Sequence, residues 1–588
     1  MSSSKESLLA AYMAHPFLDL PNETFSYKQH EMSSIYDFLR RNRVLLRTMN
    51  YGLSQKPNLL NKRVFLKELV QKNELFAQAY NYASRLRQKI VEIAKTMEQI
   101  GVEIIFIKSL NDFPLDSHNF DILVKEQDLV RARECLKDLG FKELVRLQEP
   151  FKVFYRRVDC DTTISTISIH LHTRVAWEGV NFVDSDKLWD KHREIRIDDV
   201  TVGFPSSEHH LLITSAHAFF ENQRLSLCDL MYMVEAIQSG NRIDWNYIVD
   251  WCITDHWFKA FYAFLQMADH AYTSLYEKRL VEQNVYMILA KKGSIARDGL
   301  SKKLIYQFEK TKGLPIKIPI TNVALSFSHK VFRTQGKSLF EKIGKVSSSG
   351  WHYLKRRVPL SREFPTFLIC FSGQDGTGKT THAKCLQSEL LKTIHMMNDE
   401  FAERDLKTKY VWSRGIGSTI DPLLSIIRVL LLGSKSPRMG EYVSKRETLL
   451  NMKSIRNIWA HVTLADEALQ LLIKVRLPLF FQQNIISDRY IYDALVDAEC
   501  DLTQNVSEAL RNSVTNLLPK PDIVFIADAE PAEIMKRKKD LEFAKVKCKR
   551  KKYLTYLNDE RFILLDTEKD LQQNRIEILS KVLEALTT

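Results

Sequence analysis

A glycine-rich stretch from Gly373 to Thr381 constrains this 588-residue chain more than any other feature. It reads GQDGTGKTT, follows the apolar run 367–371, and precedes a segment with apolar residues at helical spacing. A strand, a glycine loop and a helix in this order match the phosphate-binding pattern GxxxxGK[ST]. The pattern therefore predicts a site for nucleotide phosphates in preference to an ordinary glycine turn.

The residues of this loop are suited to different tasks. Its glycines let the backbone N–H groups turn towards an anion, and the following helix adds the positive end of its dipole. Lys379 is placed to reach the β- and γ-phosphates, and the Thr380 hydroxyl to ligate Mg²⁺. We therefore expect ATP and Mg²⁺ as cofactors, with nucleotide-binding residues Gly373, Gln374, Asp375, Gly376, Thr377, Gly378, Lys379, Thr380 and Thr381.

Four further apolar segments follow, separated by longer helical stretches, which predicts an α/β fold with a doubly wound, parallel, five-stranded sheet. In such sheets the ligand site lies at the carboxyl ends of the strands. The segments are 409–412, 485–487, 522–527 and 562–565, and polar residues end three of them: Ser413 and Arg414, Asp488 to Tyr490, and Asp528.

These motifs resemble thymidylate kinase, of the P-loop nucleoside-monophosphate kinase group, over about residues 365–588. The loop GQDGTGKTT is close to that of the family, and 485–492 (IISDRYIY) is similar to its strand and Asp-Arg-Tyr motif. Residues 521–531 (PDIVFIADAEP) resemble the strand before its lid. Residues 536–543 (KRKKDLEF), with Tyr553 after them, resemble the lid and its exit helix.

The resemblance implies roles for individual residues. Asp375 is expected to face the sugar of the acceptor, and Asp488 to lie near the Mg²⁺, which Thr380 also ligates. Arg414 and Arg489 are expected to point towards the acceptor phosphate, where guanidinium groups suit an anion better than lysine does. Lys379, Asp488, Arg489, Arg414 and Asp375 are thus the expected catalytic residues.

The lid is expected to close over the triphosphate through Arg537 and its lysine neighbours at 536, 538 and 539. A solvated basic helix is the alternative interpretation of that run. The second basic run, 549–552, is expected to be a solvated face.

Three departures fall on the acceptor side of the resemblance. Glu467 stands where the family has an arginine that helps to hold the acceptor base. The Arg-Glu-Pro-Gly loop is replaced by residues 413–416 (SRGI), and a Tyr-Gln pair by Asp497 and Ala498. Because the donor side is intact, these changes favour an acceptor other than thymidylate.

The first half of the chain predicts helices at 35–50, 62–74 and 77–100, strands at 104–107 and 120–124, and a helix that ends at Gly140. The segments 107–109 (IKS), 119–124 (NFDILV) and 168–172 (SIHLH) resemble the uncharacterised nucleotidyltransferase-like family. The expected fold is an α+β nucleotidyltransferase-like domain with helical extensions.

The carboxylates of that family are degenerate in this chain. Nucleotidyl transfer uses two or three carboxylates to hold two Mg²⁺ ions, but Asn119 and His170 stand at two of these positions and Ser109 replaces a glycine. Asp121 alone is insufficient, so we expect a binding or docking domain rather than an active nucleotidyltransferase. His170 and His172 provide at most half of a metal site, and ordinary polar roles are favoured for them.

Length and composition set the remaining expectations. Three regions are predicted: 1–275, a basic connector at 276–362, and the P-loop domain at 363–588. The eight cysteines are scattered without a CxxC pair, which favours reduced thiols and a cytoplasmic location. No secretory signal is present, and no run reaches the roughly 18 apolar residues that a membrane span needs.

The net charge of +13 suits anionic partners. No module of aromatic and basic residues points to nucleic-acid binding. The sequence does not decide whether the chain forms a homodimer. The first hypothesis is a phosphotransferase that uses ATP and Mg²⁺ to phosphorylate a nucleoside monophosphate or a similar phosphorylated or hydroxylated small acceptor. The alternatives are an ATP-hydrolysing switch or assembly protein, and a nucleotidyltransferase activity in the N-terminal half.

Overall fold

The structure is a computed structural model. It describes residues 5–20, 29–51, 59–108, 119–143, 151–160, 164–177, 180–238, 242–293, 299–311, 314–334, 344, 366–397, 408–413, 453–481, 483–501, 506–539 and 541–587. The chain divides into two compact units, the first with most residues up to Ser361 and the second with most residues from Arg362 onward. The domain boundary predicted near residue 362 lies outside the described ranges and stays a prediction.

The first unit combines fourteen described helices with eleven described strands. The helices are α1 (Lys5–Ala14), α2 (Gln29–Arg41), α3 (Leu45–Asn50), α4 (Leu60–Lys72), α5 (Glu74–Gln99), α6 (Leu129–Asp138), α7 (Ser185–Asp190), α8 (Ser207–Ala216), α9 (Leu227–Gln238), α10 (Trp245–Thr254), α11 (Phe258–Tyr276), α12 (Gln283–Gly293), α13 (Gly299–Thr311) and α14 (Ile320–Thr334). A 3₁₀ turn (Glu126–Asp128) precedes α6, and a π-helical turn (His217–Glu221) follows α8. The strands are β1 (Ile105–Phe106), β2 (Asn119–Leu123), β3 (Lys142–Glu143), β4 (Lys152–Cys160), β5 (Ile164–His172), β6 (Ala176–Trp177), β7 (Val180–Asn181), β8 (Arg193–Ile197), β9 (Val200–Phe204), β10 (Arg224–Leu225) and β11 (Ile316–Lys317).

A seven-stranded mixed sheet organises this unit, in the order β3-β4-β5-β2-β1-β9-β8. Strands β2 and β5 run parallel with Asp121 opposite His170 and Leu123 opposite His172. Side chains alternate between the faces of a strand, so Asp121, His170 and His172 lie on one face. The expected α+β domain with helical extensions is confirmed.

The continuous helix predicted at 35–50 is wrong, because the chain breaks between α2 and α3. Arg43 adopts a left-handed φ of 55° at the break. Asn42 accepts hydrogen bonds from the backbone of Leu227 (3.2 Å to its side chain) and Cys228 (3.1 Å to its carbonyl). The carbonyl oxygen of Asn42, which would accept an intrahelical hydrogen bond in a continuous helix, is thus satisfied by a distant residue.

The described parts of 276–334, which are 276–293, 299–311 and 314–334, pack into the hydrophobic core of the first unit. Strand β11 pairs with β10, and the buried side chains of Leu289, Phe308 and Val331 belong to the same core as α11. This part of the predicted connector is therefore an integral layer of the first unit.

The second unit begins at the strand that leads into the glycine loop. Its strands are β12 (Leu368–Gly373), β13 (Thr408–Trp412), β14 (Asn484–Asp488), β15 (Ile523–Asp528) and β16 (Phe562–Asp566). Its helices are α15 (Lys379–Met397), α16 (Lys453–Leu471), α17 (Leu477–Phe480), α18 (Ile491–Cys500), α19 (Glu508–Leu517), α20 (Pro531–Arg537), α21 (Phe543–Leu554) and α22 (Leu571–Thr587), with a π-helical turn (Leu472–Arg476) before α17 and a 3₁₀ turn (Thr555–Asn558) after α21.

The five strands form one parallel sheet in the order β13-β14-β12-β15-β16, so the predicted α/β sheet is confirmed. Every residue of β12 and β14 is buried, as expected for strands covered on both faces. Asp488 lies opposite both Phe371 and Trp412, and Gly373 lies opposite Ala527. This register brings the carboxyl ends of β12, β13, β14 and β15 to one edge.

A disulfide joins Cys500 at the end of α18 to Cys548 in α21, with Cα atoms 6.0 Å apart. The expectation that all thiols are reduced is therefore wrong. Sequence spacing gave no sign of it, because 48 residues separate the pair and only the fold brings them together. Among the helices that the structure describes, none is long and apolar enough to cross a membrane.

Candidate active site

The glycine loop follows directly from β12 and needs its glycines for two reasons. A Cβ atom at Gly373 would lie 2.4 Å from the carbonyl oxygen of Ala527, which is impossible without moving β15. Gly376 and Gly378 have φ values of 92° and 81°, a region that side chains disfavour. Close strand packing and a left-handed turn together fix the shape of the loop.

Lys379 is folded back over this loop and is only 5% exposed. Its Nζ donates hydrogen bonds to the carbonyl oxygens of Gly373 (2.6 Å) and Gln374 (2.7 Å). Burial lowers the pKa of Lys379, against the opposing effect of nearby carboxylates. The ammonium group is thus held at the mouth of the loop in a place where an anion would favour its charged form.

Thr380 and Asp488 join the loop to β14. The Thr380 hydroxyl donates to Oδ2 of Asp488 (2.6 Å), and the Tyr410 hydroxyl donates to the same oxygen (2.7 Å). The other oxygen, Oδ1, is buried and has no hydrogen-bond partner among the described residues. A hydroxyl beside a carboxylate with a buried spare oxygen is the donor set that Mg²⁺ prefers, so these residues fit that ion.

The remaining loop residues close the turn. The hydroxyl of Thr377 donates to the carbonyl of Gln374 (2.7 Å), and both side chains are buried. Thr381 is exposed on the first turn of α15.

Asp375 and Arg489 form an ion pair across the site. Lys538 lies on the other oxygen of the same carboxylate, at 3.5 Å. Arg489 has a left-handed φ of 78°, and its backbone N–H donates to Phe371 (2.9 Å), so the turn after β14 is tied to the central strand. The structure thus brings together Asp375, Lys379, Thr380, Asp488 and Arg489.

Asp493 is a site residue that the sequence reading missed. Its side chain accepts hydrogen bonds from the backbone N–H of Gly373 (3.2 Å), from the Tyr553 hydroxyl (3.0 Å) and from the backbone N–H of Tyr490 (3.0 Å). The carboxylate therefore links the glycine loop, the start of α18 and α21. Asp493 caps the start of α18 from three residues after Tyr490, but Tyr-x-x-Asp is not the Ser/Thr-x-x-Glu/Gln pattern by which a sequence signals such a cap.

Ser413 and Glu467 lie at positions where the acceptor is expected from the sequence. Ser413 follows β13, and its backbone N–H and hydroxyl donate to the carbonyls of Asp488 (3.3 Å) and Arg489 (3.4 Å). Burial raises the pKa of Glu467 to about 7, while a hydrogen bond with Ser413 opposes the shift. Oε2 of Glu467 has no hydrogen-bond partner among the residues that the structure describes. Arg414, and Ser109 in the first unit, lie outside the described residues.

The basic residues predicted for the lid lie at the end of α20, which holds Lys536 and Arg537, and just after it, where Lys538 and Lys539 follow. Arg537 donates hydrogen bonds to the carbonyl of Thr567 (3.2 Å) and to the carboxylate of Glu533 (3.3 Å). The pKa of His382 is lowered, mainly by burial and to a smaller degree by the charge of Arg537. The predicted contact of Arg537 with nucleotide stays a prediction. Lys538 is the residue of the predicted lid that faces the loop, because its Cβ lies 3.5 Å from the position that a Cβ on Gly376 would take.

The basic run at 549–552 is only partly the solvated face that we expected: Lys551 and Lys552 are exposed, but Lys549 and Arg550 are not. Lys549 bridges Asp497 (2.7 Å) and Asp501 (2.6 Å), and Arg550 makes a bidentate pair with Asp528 (2.9 and 3.0 Å). Lys549 and the disulfide attach α21 to the C-terminal end of α18, and Arg550 attaches it to the carboxyl end of β15.

In the first unit, Asp121 is surrounded by potential partners. Lys108 lies 3.1 Å from Oδ2, and His170 and His172 lie 3.3 and 2.8 Å from Oδ1. Burial alone would raise the pKa of Asp121, but Lys108 and the two imidazoles hold it well below its usual range. A second carboxylate, Glu221, pairs with His217 (3.0 Å).

Comparisons with known proteins find a family model for part of the first unit and a set of curated relatives. Residues 117–273 match a family model described as "Uncharacterised nucleotidyltransferase". The match covers the strands that carry Asp121, His170 and His172.

The chain is also similar to proteins named "Probable thymidylate kinase". The protein of Methanococcus maripaludis strain C6 is 26% identical over 233 residues, which cover 37% of this chain and 96% of the relative. That of strain S2 is 27% identical over the same length. The protein of Methanococcus vannielii is 28% identical over 169 residues, 29% of this chain and 64% of the relative. The family model and the curated relatives are both described as transferases, and the sequence identity to the relatives is low, at 26–28%.

Proposed function

We propose that the second unit is a phosphotransferase that uses ATP and Mg²⁺ to phosphorylate a nucleoside monophosphate or a similar small acceptor. The observation that carries the proposal is the contact between Thr380 and Asp488 beside Lys379. It places a cation and an Mg²⁺-compatible oxygen set at the mouth of a glycine loop. Three strands and a helix hold that arrangement in place.

The chain's residues supply positioning and charge. Lys379 is already at the loop mouth, where phosphate oxygens would replace the two carbonyl acceptors that it now contacts. Asp488 and Thr380 would hold Mg²⁺, and ATP supplies the phosphoryl group. Phosphoryl transfer needs such positioned cations more than it needs a nucleophile, because negative charge spreads over the transferring oxygens.

The acceptor side supports specificity for a molecule other than thymidylate. Arg489 is held by Asp375 beside the loop, which suits a phosphate on the acceptor. The Glu467 carboxyl, buried next to Ser413, offers hydrogen-bond geometry different from the arginine of thymidylate kinases. With a pKa near 7, it can donate as well as accept.

The proposal also explains how α20 and α21 serve the site. Lys538 shares Asp375 with Arg489, and α21 is anchored by Arg550, Lys549 and the disulfide. A lid that excludes water would prevent loss of the γ-phosphate to hydrolysis.

The test is an acceptor screen with the full chain, ATP and Mg²⁺, read by mass spectrometry. A phosphorylated nucleoside monophosphate supports the proposal. An ATP-hydrolysing switch predicts ADP and phosphate without a phosphorylated acceptor. The nucleotidyltransferase alternative predicts pyrophosphate release and a product that carries a nucleotidyl group.

A further inference from the structure

The strand pair β2 and β5 places three ligand atoms within 4.8 Å of one another: those of Asp121, His170 and His172. The contacts to Oδ1 of Asp121 are 2.8 Å from Nε2 of His172 and 3.3 Å from Nδ1 of His170. All three residues are buried, at 1–9% exposure. The parallel register of β2 and β5 places these three side chains together, so the cluster follows from the backbone arrangement.

These separations suit a single ion. Ligands about 2.0–2.1 Å from a tetrahedral zinc ion lie about 3.3 Å from each other. Two imidazoles and one carboxylate are typical of Zn²⁺ and other first-row divalent ions, and they leave at least one further position open. Mg²⁺ prefers oxygen ligands, so the two histidines disfavour it.

We propose that Asp121, His170 and His172 bind one divalent transition-metal ion of the Zn²⁺ class. The site is independent of the proposed kinase function. It also differs from a two-Mg²⁺ carboxylate site, since Asn119 and His170 occupy positions where the related family has acidic residues.

Lys108 determines how tightly such an ion binds. Its Nζ contacts the far oxygen of Asp121 at 3.1 Å and lies 3.9 Å from Glu221, to which Lys152 is also close (3.7 Å). The contact orients the carboxylate so that Oδ1 faces the imidazoles, as an outer hydrogen bond does in metal sites. Its positive charge, however, opposes the entry of a cation into a buried site. Removal of the charge should therefore strengthen metal binding.

The experiment uses the full chain, stripped with a chelator and titrated with Zn²⁺ by calorimetry and with Co²⁺ by visible absorption. We expect one high-affinity ion per chain and a Co²⁺ spectrum typical of four coordination, with no competition from millimolar Mg²⁺. His172→Gln and Asp121→Asn should each weaken binding at least tenfold. Lys108→Met should tighten it about tenfold.

Two controls separate this site from others. His270→Gln removes an imidazole that pairs with Glu309 outside the cluster and should leave binding unchanged. Asp488→Asn alters the proposed Mg²⁺ site of the second unit and should leave the high-affinity Zn²⁺ stoichiometry at one.

Failure of both the native chain and Lys108→Met to bind an ion would overturn the proposal. So would equal losses in His172→Gln and His270→Gln. Because Lys108→Met predicts a gain, misfolding of the ligand variants cannot by itself produce the expected pattern.

Discussion

The Thr380 hydroxyl donates a 2.6 Å hydrogen bond to Asp488, a residue 108 positions further along the chain. The contact joins the glycine loop to the strand next to it, so the two halves of the proposed Mg²⁺ site lie in direct contact. Tyr410, on the far side of β14, donates to the same carboxylate oxygen and fixes its orientation.

Tyr410→Phe tests this orientation. Loss of one hydrogen bond to a charged group is worth about 1.5–3 kcal/mol in such settings, so we expect the Mg²⁺ concentration for half-maximal activity to rise about tenfold. Maximal activity at saturating Mg²⁺ should change less. A Mg²⁺ titration of ATP turnover measures both. An equal loss at all Mg²⁺ concentrations would show that Tyr410 acts in another way.

Glu467→Gln tests the buried carboxyl at the proposed acceptor side. Its pKa in the folded chain is about 7, above its usual 4.5. The native state therefore binds a proton that the unfolded state has lost between these pH values, and stability falls as pH rises from about 4.5 to about 7. Glutamine resembles the protonated form, so the variant should be similar to the native chain at pH 4.5 and more stable at pH 8, by at most about 3 kcal/mol.

Urea unfolding at pH 5 and pH 8, followed by a probe of the second unit, measures this difference. Glu584→Gln, an exposed substitution in α22, is the matched control for replacement of a glutamate by glutamine. A Glu467→Gln variant that is equally stable relative to the native chain at both pH values would contradict a raised pKa.

The disulfide between Cys500 and Cys548 should contribute to stability because it closes a loop of 48 residues. The crosslink restricts the unfolded chain, and this loss of entropy raises the free energy of unfolding by up to about 4 kcal/mol. The double variant Cys500→Ser/Cys548→Ser should therefore unfold at a lower temperature and lose its response to reductant. Thiol titration under denaturing conditions should find two fewer free thiols in the native chain than in the reduced one. Equal thiol counts would show that the bond does not form in the isolated protein.

The sequence was most informative where a local pattern determines geometry. The glycine loop, the four following strands and the Asp488–Arg489 turn lie where they were predicted, because spacing and β-branched runs act locally. Long-range pairings were not predictable in the same way. Asp493 reaches Gly373 across 120 residues, and the Lys549–Asp497 and cysteine pairs depend on how α21 folds back on α18.

The first unit shows the same limit. Ordinary polar roles were favoured for His170 and His172, because the pairing of β5 with β2, which brings Asp121 beside them, is a property of sheet order. The helix break at Asn42 also arises from bonds to distant Leu227 and Cys228. In both cases tertiary contacts override what local periodicity indicates.

The most direct test of the proposed phosphotransfer is product stoichiometry with the full chain, Mg²⁺ and γ-³²P-labelled ATP in the presence of nucleoside monophosphates. The account predicts one labelled acceptor for each ADP formed. It also predicts a loss of at least about 100-fold in Lys379→Met, since removal of one positioned charge typically costs about that much. Lys581→Met, in which an exposed lysine that pairs with Glu584 is replaced, should match the native rate. ADP formation with the label recovered only as inorganic phosphate, for every acceptor tried, would contradict it.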